Sequence, residues 1–342
     1  MAVQLKPVEQ QTIVITGASS GIGLCTARMA AARGARLVLA SRNEEALSKL
    51  VDEITWAGGE AIFVKADVGL ESDVEAIAEA ARQRFGTFDT WVNNAAGSIY
   101  GKLEDVPVED FRRLFETNFW GVVYGSLTAA RYLKRLGGAL INVGSTLSDR
   151  AIPLQGMYCA SKHAVKGFTD ALRMELEADD APISVTLVKP AAIDTPYIEH
   201  APNYLDTEPL NPPPVYAPDT VAETILYCAE NQVRDVFVGG AAKAHSMLGK
   251  YAPRLADLLM EKTYLGQTRT GEPPKPKPLI NLYEPRDARL HERGTYDGHV
   301  AESSIYTQAS LHPGITGAIA TGAALALGAG IAYSLIKRNR TD

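Results

Sequence analysis

Short, β-branched apolar runs alternate with helix-length amphipathic stretches along most of this chain, and few folds accept that pattern. TIVIT (residues 12–16) precedes a helix expected over 21–33, RLVLA (36–40) precedes NEEALSKLVDEITWAG, and AIFVKAD (61–67) precedes ESDVEAIAEAARQRFG. FDTWVNN (88–94) precedes a long helical stretch over 108–135, and ALINVGS (139–145) precedes another over 156–179. ISVTLVKP (183–190) leads through a proline-rich loop to a helix near 218–230, and DVFVG (235–239) closes the series. Apolar strands that each feed a helix build a parallel sheet covered on both faces. The pattern predicts an α/β domain over residues 8–250, with a doubly wound sheet of about seven strands.

The character of the chain changes after residue 250. PPKPKP (273–278) reads as a stiff, extended spacer, and residues 281–313 are polar without clear periodicity, so 251–314 is expected to be a linker-like extension. Residues 315–336, ITGAIATGAALALGAGIAYSLI, carry no charge and are long enough for a transmembrane helix. Gly322, Ala326 and Gly330 give that run a small-residue face suited to helix packing in a bilayer. A basic tail, 337–342, follows; its positive charges prefer the cytoplasmic side. The start of the chain, MAVQLKPVEQQ, lacks the apolar core of a secretory signal. The expectation is a catalytic domain facing the cytoplasm and tethered to a membrane by its C-terminal helix.

Other classes are excluded early. A net charge of −6 without a basic stripe argues against nucleic acid as a partner. Cys25, Cys159 and Cys228 form no Cys-x-x-Cys pair, and the six histidines show no ligand spacing, so neither a disulfide framework nor a metal is expected. Each cysteine reads as a small buried hydrophobe.

Between the first strand and the first helix stands TGASSGIG, Thr16 to Gly23. A strand that turns into a helix aims free N–H groups at whatever lies above the sheet, and such a terminus favours an anion. Gly17 permits the tight turn, Gly21 lets a pyrophosphate approach the backbone, and Gly23 lets the helix close on the strand; these are the glycine roles of a Rossmann-type dinucleotide site. The second strand ends in Ser41 and Arg42. An NAD site places a carboxylate there, about 20 residues after the glycines, to hold the ribose 2′-hydroxyl. A hydroxyl and a guanidinium suit a 2′-phosphate instead, which favours NADP(H).

The second chemical signal is YCASK, with Tyr158 and Lys162 on one helix face. An ammonium beside a phenol lowers the phenol pKa from ~10 and readies it for proton transfer. Ser145, at the end of INVGS, lies at the carboxyl edge of the sheet, where its hydroxyl can polarise the same substrate oxygen.

Together these motifs resemble the short-chain dehydrogenase/reductase family, in its compact branch, over about residues 8–245. TGASSGIG is similar to the family's cofactor loop, which implies contacts from Gly17, Ser19, Ser20, Gly21, Ile22 and Gly23. The resemblance gives Asp67 and Val68 to the adenine. NNAAG (93–97) matches the family's Asn-Asn-Ala-Gly element through Asn94 and Ala95, with Ala96 where glycine is usual. It gives Asn118 a place in a water-mediated proton relay, and Ser145, Tyr158 and Lys162 the remaining catalytic positions. Lys162 and Tyr158 also face the nicotinamide ribose. KPAAIDTP (189–196) resembles the element that holds the carboxamide, through Pro190, Ile193 and Thr195, with Ala191 replacing its glycine.

The implied activity is NADP(H)-dependent interconversion of a carbonyl and an alcohol, with Tyr158 as acid/base. An NADP-binding redox sensor, or an isomerase or dehydratase on the same fold, remains the alternative. Residues 196–216, rich in proline and tyrosine, are expected over the substrate. A membrane tail tilts the substrate class towards the lipophilic. The family also implies a homodimer or homotetramer packed through the helices expected at 108–135 and 156–179.

Overall fold

A computed structural model of the protein describes residues 3–265, 271–274, 282–285 and 289–312. In chain order the main domain runs β1 (Thr12–Thr16), α1 (Gly21–Ala32), β2 (Arg36–Ser41), α2 (Glu44–Trp56), β3 (Glu60–Lys65), α3 (Glu71–Phe85) and β4 (Thr90–Asn93). It continues through α4 (Val108–Phe115), α5 (Gly121–Leu136), β5 (Gly138–Val143), α6 (Gly156–Ala178) and β6 (Ile183–Pro190). Then come β7 (Ala192–Ile193), α7 (Tyr197–His200), β8 (Val215–Tyr216), α8 (Pro218–Glu230), β9 (Asp235–Val238), α9 (Gly240–Tyr251) and α10 (Pro253–Leu259). The last described elements are β10 (Val300–Ala301) and α11 (Ile305–Leu311).

The seven-stranded sheet has the order β3-β2-β1-β4-β5-β6-β9, parallel throughout. Strand periodicity explains its two cores, because successive side chains leave opposite faces. Ile13, Ile15, Leu37 and Leu39 pack on one face against Leu24 of α1, Leu47 and Leu50 of α2, and Val221 and Ile225 of α8. Val14, Val38, Trp91 and Leu140 pack on the other against Ile77 of α3, Leu133 of α5 and Leu172 of α6. The near-continuous apolar strands of the sequence are therefore those of a sheet buried on both sides. Cys25, Cys159 and Cys228 are free and buried, as small apolar groups would be.

The sheet order reverses between β1 and β4. At that reversal the connections leave in opposite directions and open a crevice at the carboxyl ends of the strands, where ligands of such sheets bind. A buried polar network fixes the strand ends below it. Asn93 Nδ2 donates to Asn142 Oδ1 at 2.8 Å, Trp91 Nε1 donates to Asn93 Oδ1 at 2.8 Å, and Asn142 Nδ2 donates to Thr169 Oγ1 at 2.9 Å.

The helical stretch expected over 108–135 is helical throughout, with a π-helical turn, Glu116–Trp120, inside it that carries Asn118. One expectation changes here. The stretch read as linker-like, 251–314, is partly folded onto the domain. Val300 and Ala301 pair with Val215 and Tyr216, completing a three-stranded parallel sheet in the order β10-β8-β7. Leu311 of α11 is buried in the same core as α1 and α8, and Leu282 is buried beside Tyr158. Few and widely spaced apolar anchors, fixed by backbone pairing, leave no periodicity to read. The apolar run 315–336 lies outside the described residues; among those described, no helix is long and apolar enough to cross a membrane.

Candidate active site

Everything at the glycine loop follows from close backbone approach. Gly17 takes φ +69° and Gly21 φ +55°, a region that favours glycine. A Cβ on Gly17 would lie 2.8 Å from Ala95 Cα, and one on Gly23 only 2.2 Å from the Gly17 carbonyl oxygen. Gly23 therefore serves helix–strand packing and does not line the crevice. Asn94 ties the loop down: its Nδ2 donates to the Thr16 and Gly17 carbonyls at 3.0 and 3.3 Å. The Ile22 and Gly23 N–H groups, at the first turn of α1, have no partner among the described residues.

The loop borders a cleft of about 840 Å³. Of the residues singled out in the sequence, Gly17, Ser19, Ser20, Gly21, Ile22, Ser41, Arg42, Asp67, Val68, Asn94, Ala95, Ser145, Tyr158, Lys162, Pro190, Ile193 and Thr195 all line it. Segments from six strand ends thus converge on one space. Ala191 and Ala96, which stand where glycine is usual, adopt no positive φ, so a side chain at either costs no backbone strain.

At one end, Ser41 Oγ accepts from the Asn43 N–H at 3.1 Å and helps start α2. Arg42 donates from Nη1 to the Leu282 carbonyl at 2.9 Å, and burial lowers its pKa. Asp67 pairs with Arg113, a residue that no sequence motif marks. Arg113 also donates from Nε to the Leu282 carbonyl at 3.0 Å.

At the other end stands the reacting group of side chains. Ser145 Oγ accepts from the Leu147 N–H at 3.1 Å, which leaves its own proton for donation into the cleft. Lys162 Nζ donates to the Val143 carbonyl at 2.9 Å and lies 5.7 Å from the Tyr158 ring centre. Burial pushes the Tyr158 phenol up to about 12, against the Tyr197 and Ser145 hydroxyls beside it. Burial brings the Lys162 ammonium down to about 8. The expected fall of the Tyr158 pKa is therefore not produced by these side chains alone, because desolvation outweighs the neighbouring dipoles. A protonated phenol suits a general acid.

Asn118 is fully buried and does not line the cleft. Its Oδ1 accepts from the Gly97 N–H at 2.8 Å, and its Nδ2 donates to the Gly97 carbonyl at 2.9 Å and to Ser161 Oγ at 3.2 Å. The side-chain amide fixes the cleft wall at Gly97.

Three further residues of this end were not singled out. Tyr197, directly after Thr195-Pro196, sets its ring edge-on to Tyr158 with centres 5.6 Å apart. Gln155 Nε2 donates to the Tyr197 hydroxyl at 3.2 Å and to Ser98 Oγ at 2.8 Å. His245 of α9 lines the same end, and burial together with Arg150 lowers its pKa. Only the tyrosine content of 196–216 hinted at any of them.

A family model described as short chain dehydrogenase matches residues 11–203. The chain belongs to the short-chain dehydrogenase/reductase family. It is 50% identical over 323 residues to the uncharacterized oxidoreductase YxnA of Bacillus subtilis, covering 94% of this chain and 90% of that one. It is 37% identical over 190 residues to 11-beta-hydroxysteroid dehydrogenase A of Sesamum indicum, which spans 55% of this chain and 54% of that relative. Among solved structures, an alcohol dehydrogenase from Thermococcus sibiricus complexed with 5-hydroxy-NADP superposes with a TM-score of 0.59 at 28% identity, covering 67% of this chain and 95% of that one. A short-chain dehydrogenase/reductase from Burkholderia phymatum in complex with NAD gives a TM-score of 0.64 at 28% identity, covering 72% and 94%. The protein is thus an oxidoreductase of this family on a Rossmann-type α/β fold.

Proposed function

We propose that the protein reduces a carbonyl compound to an alcohol with NADPH. The carrying observation is that Ser145, Tyr158 and Lys162 share one cleft with the glycine loop and Arg42. Two solved relatives of this fold hold nicotinamide dinucleotides, one an NADP derivative and one NAD. The residues present fit such a group: a glycine loop that lines the cleft at Gly17 and Gly21, a helix-terminal N–H donor, and a guanidinium at the end of β2.

The dinucleotide, when bound, supplies the hydride. Tyr158 holds a proton at its hydroxyl and donates it to the carbonyl oxygen. Ser145 donates a hydrogen bond to that same oxygen and orients it. Lys162, anchored on the Val143 carbonyl, keeps a positive charge near the phenol and would hold the ribose of the bound dinucleotide. Asn118, whose amide is committed to Gly97, holds the cleft wall there; its place in a water-mediated proton relay rests on the family resemblance. Arg42 would select the 2′-phosphate, Asp67 and Val68 would hold the adenine, and Pro190, Ile193 and Thr195 the carboxamide.

Apolar and aromatic side chains, Leu147, Tyr197 and Met260, also line the cleft, which favours a lipophilic substrate. A carbonyl panel with loss of reduced-nicotinamide absorbance tests the reading. Turnover with NADPH and an apolar ketone or aldehyde is expected; cofactor binding without consumption across the panel would leave a sensor instead.

Two features go with this reading. Residues 315–336 form a membrane tether, on the strength of their uncharged sequence, so the full chain resists carbonate extraction. The chain also pairs through α5 and α6, whose Leu127 and Met174 are exposed, as light scattering of a chain ending at residue 312 will report.

A further inference from the structure

The chain beyond the seven-stranded sheet comes back to the cleft and touches it at three places. The Leu282 carbonyl meets Arg42 and Arg113 at one end. The His291 carbonyl accepts from the Gly21 N–H at 2.9 Å, on the glycine loop itself. Gly294 and Thr295 meet the other end. The Gly294 N–H donates to Asp194 Oδ1 at 3.2 Å, and the Thr295 N–H and Oγ1 both donate to Glu199 Oε1 at 2.7 Å. A Cβ on Gly294 would lie 2.5 Å from the Thr195 carbonyl oxygen, so the backbones are in direct contact.

Ion pairs outside the cleft fasten the same segment. Glu292 accepts from Arg28 of α1 at 2.9 Å. Arg293 reaches Glu302 at 2.5 Å and Asp219, beside the start of α8, at 3.6 Å. Arg289, His291 and Arg293 line the cleft.

We propose that residues 289–295 are a strap that forms the outer wall of the dinucleotide site and retains the bound cofactor. This rests on reading the cleft as that site. A crevice at the edge of an open sheet has the sheet below and loops at its ends, but nothing in the sheet itself closes its solvent side. Here a second segment crosses that side from the phosphate loop to Thr195. It brings two basic residues, Arg289 and Arg293, to the lining of the cleft. Its carbonyl takes the Gly21 N–H, which leaves the Ile22 N–H as the helix-terminal donor that faces the cleft. The strap therefore sits over the diphosphate position, and a dinucleotide enters and leaves when it lifts. Its anchors are hydrogen bonds and part-exposed ion pairs, individually weak enough to break and re-form during turnover.

The test uses the full-length protein and NADPH as the probe. Release is followed by stopped-flow loss of bound-NADPH fluorescence on mixing with excess NADP. Gly294→Val, which pushes the strap off Thr195, is expected to speed release by about tenfold or more, and Glu292→Gln by a few-fold. In the unaltered protein, saturating NADPH is expected to slow tryptic cleavage after Arg289 and Arg293 by about tenfold. If Glu292→Gln releases NADPH at the wild-type rate and NADPH leaves cleavage unchanged, the strap is overturned even where Gly294→Val fails to fold. A wild-type protein that binds neither NADPH nor NADH overturns the dinucleotide reading, and the strap with it; one that binds, with unchanged release and cleavage, overturns the strap alone.

Discussion

The sheet-and-loop region and the returning C-terminal segment build the same cleft by different means. In the first, the central strands are held between two packed layers, and the glycine loop is fixed by backbone contacts that no side chain can enter. In the second, a two-residue strand, two buried leucines and a set of hydrogen bonds and ion pairs hold a mostly polar chain in place. Burial on two faces makes a position rigid enough for chemistry. Attachment by a few polar contacts makes a wall that can move.

The largest effect that can break this contrast lies at Tyr158. Tyr158→Phe is expected to lower turnover by about a thousandfold while NADPH affinity stays within a few-fold. Activity close to wild type would remove Tyr158 from the acid role and leave the rigid region without its function. Arg42 comes next, because it is one of the places where the two regions touch. Arg42→Ala loses a charge-assisted contact to a 2′-phosphate and is expected to weaken NADPH by about 10- to 100-fold and NADH only slightly, measured by fluorescence titration. Equal losses would give Arg42 a purely structural part through its bond to the Leu282 carbonyl.

The pH response sharpens the rigid half. Burial holds the Tyr158 phenol at about 12 and the Lys162 ammonium at about 8. Below about 8 both carry their protons, so kcat/KM for carbonyl reduction is expected to be level. Above it Lys162 loses its charge, and the rate falls by about tenfold per pH unit. A profile level to pH 10 would mean that the Lys162 charge is not needed. The smallest effect concerns the attachment of the C-terminal segment. Leu311 is buried against the layer formed by α1 and α8, so Leu311→Ala is expected to cost about 2 kcal/mol in denaturant unfolding. No loss would make residues 300–312 an appendage.

The same contrast explains what could be read from the sequence. The seven strands were legible because a sheet buried on both faces must be apolar and β-branched, as in TIVIT and ISVTLVKP. The positions around Gly17, Ser145 and Tyr158 were legible because backbone approach and helix spacing constrain residue type. Tyr197 and Gln155 were not, since a tyrosine after Thr195-Pro196 acquires its partner only when α6 and α7 meet. The strap was hidden for another reason. Its contacts use the His291 carbonyl, the Gly294 N–H and the Thr295 N–H, groups that every such residue carries, so no pattern of side chains records them.

The central claim is hydride transfer assisted by Tyr158, and isotope transfer tests it most directly. The protein is given NADPH bearing deuterium at the transferable position, together with the carbonyl compound turned over fastest in the panel. The account predicts deuterium on the carbinol carbon of the alcohol, one label for each NADPH consumed, formed about a thousandfold more slowly by Tyr158→Phe. Product without label, or label recovered in unchanged NADPH while the substrate rearranges, would contradict it.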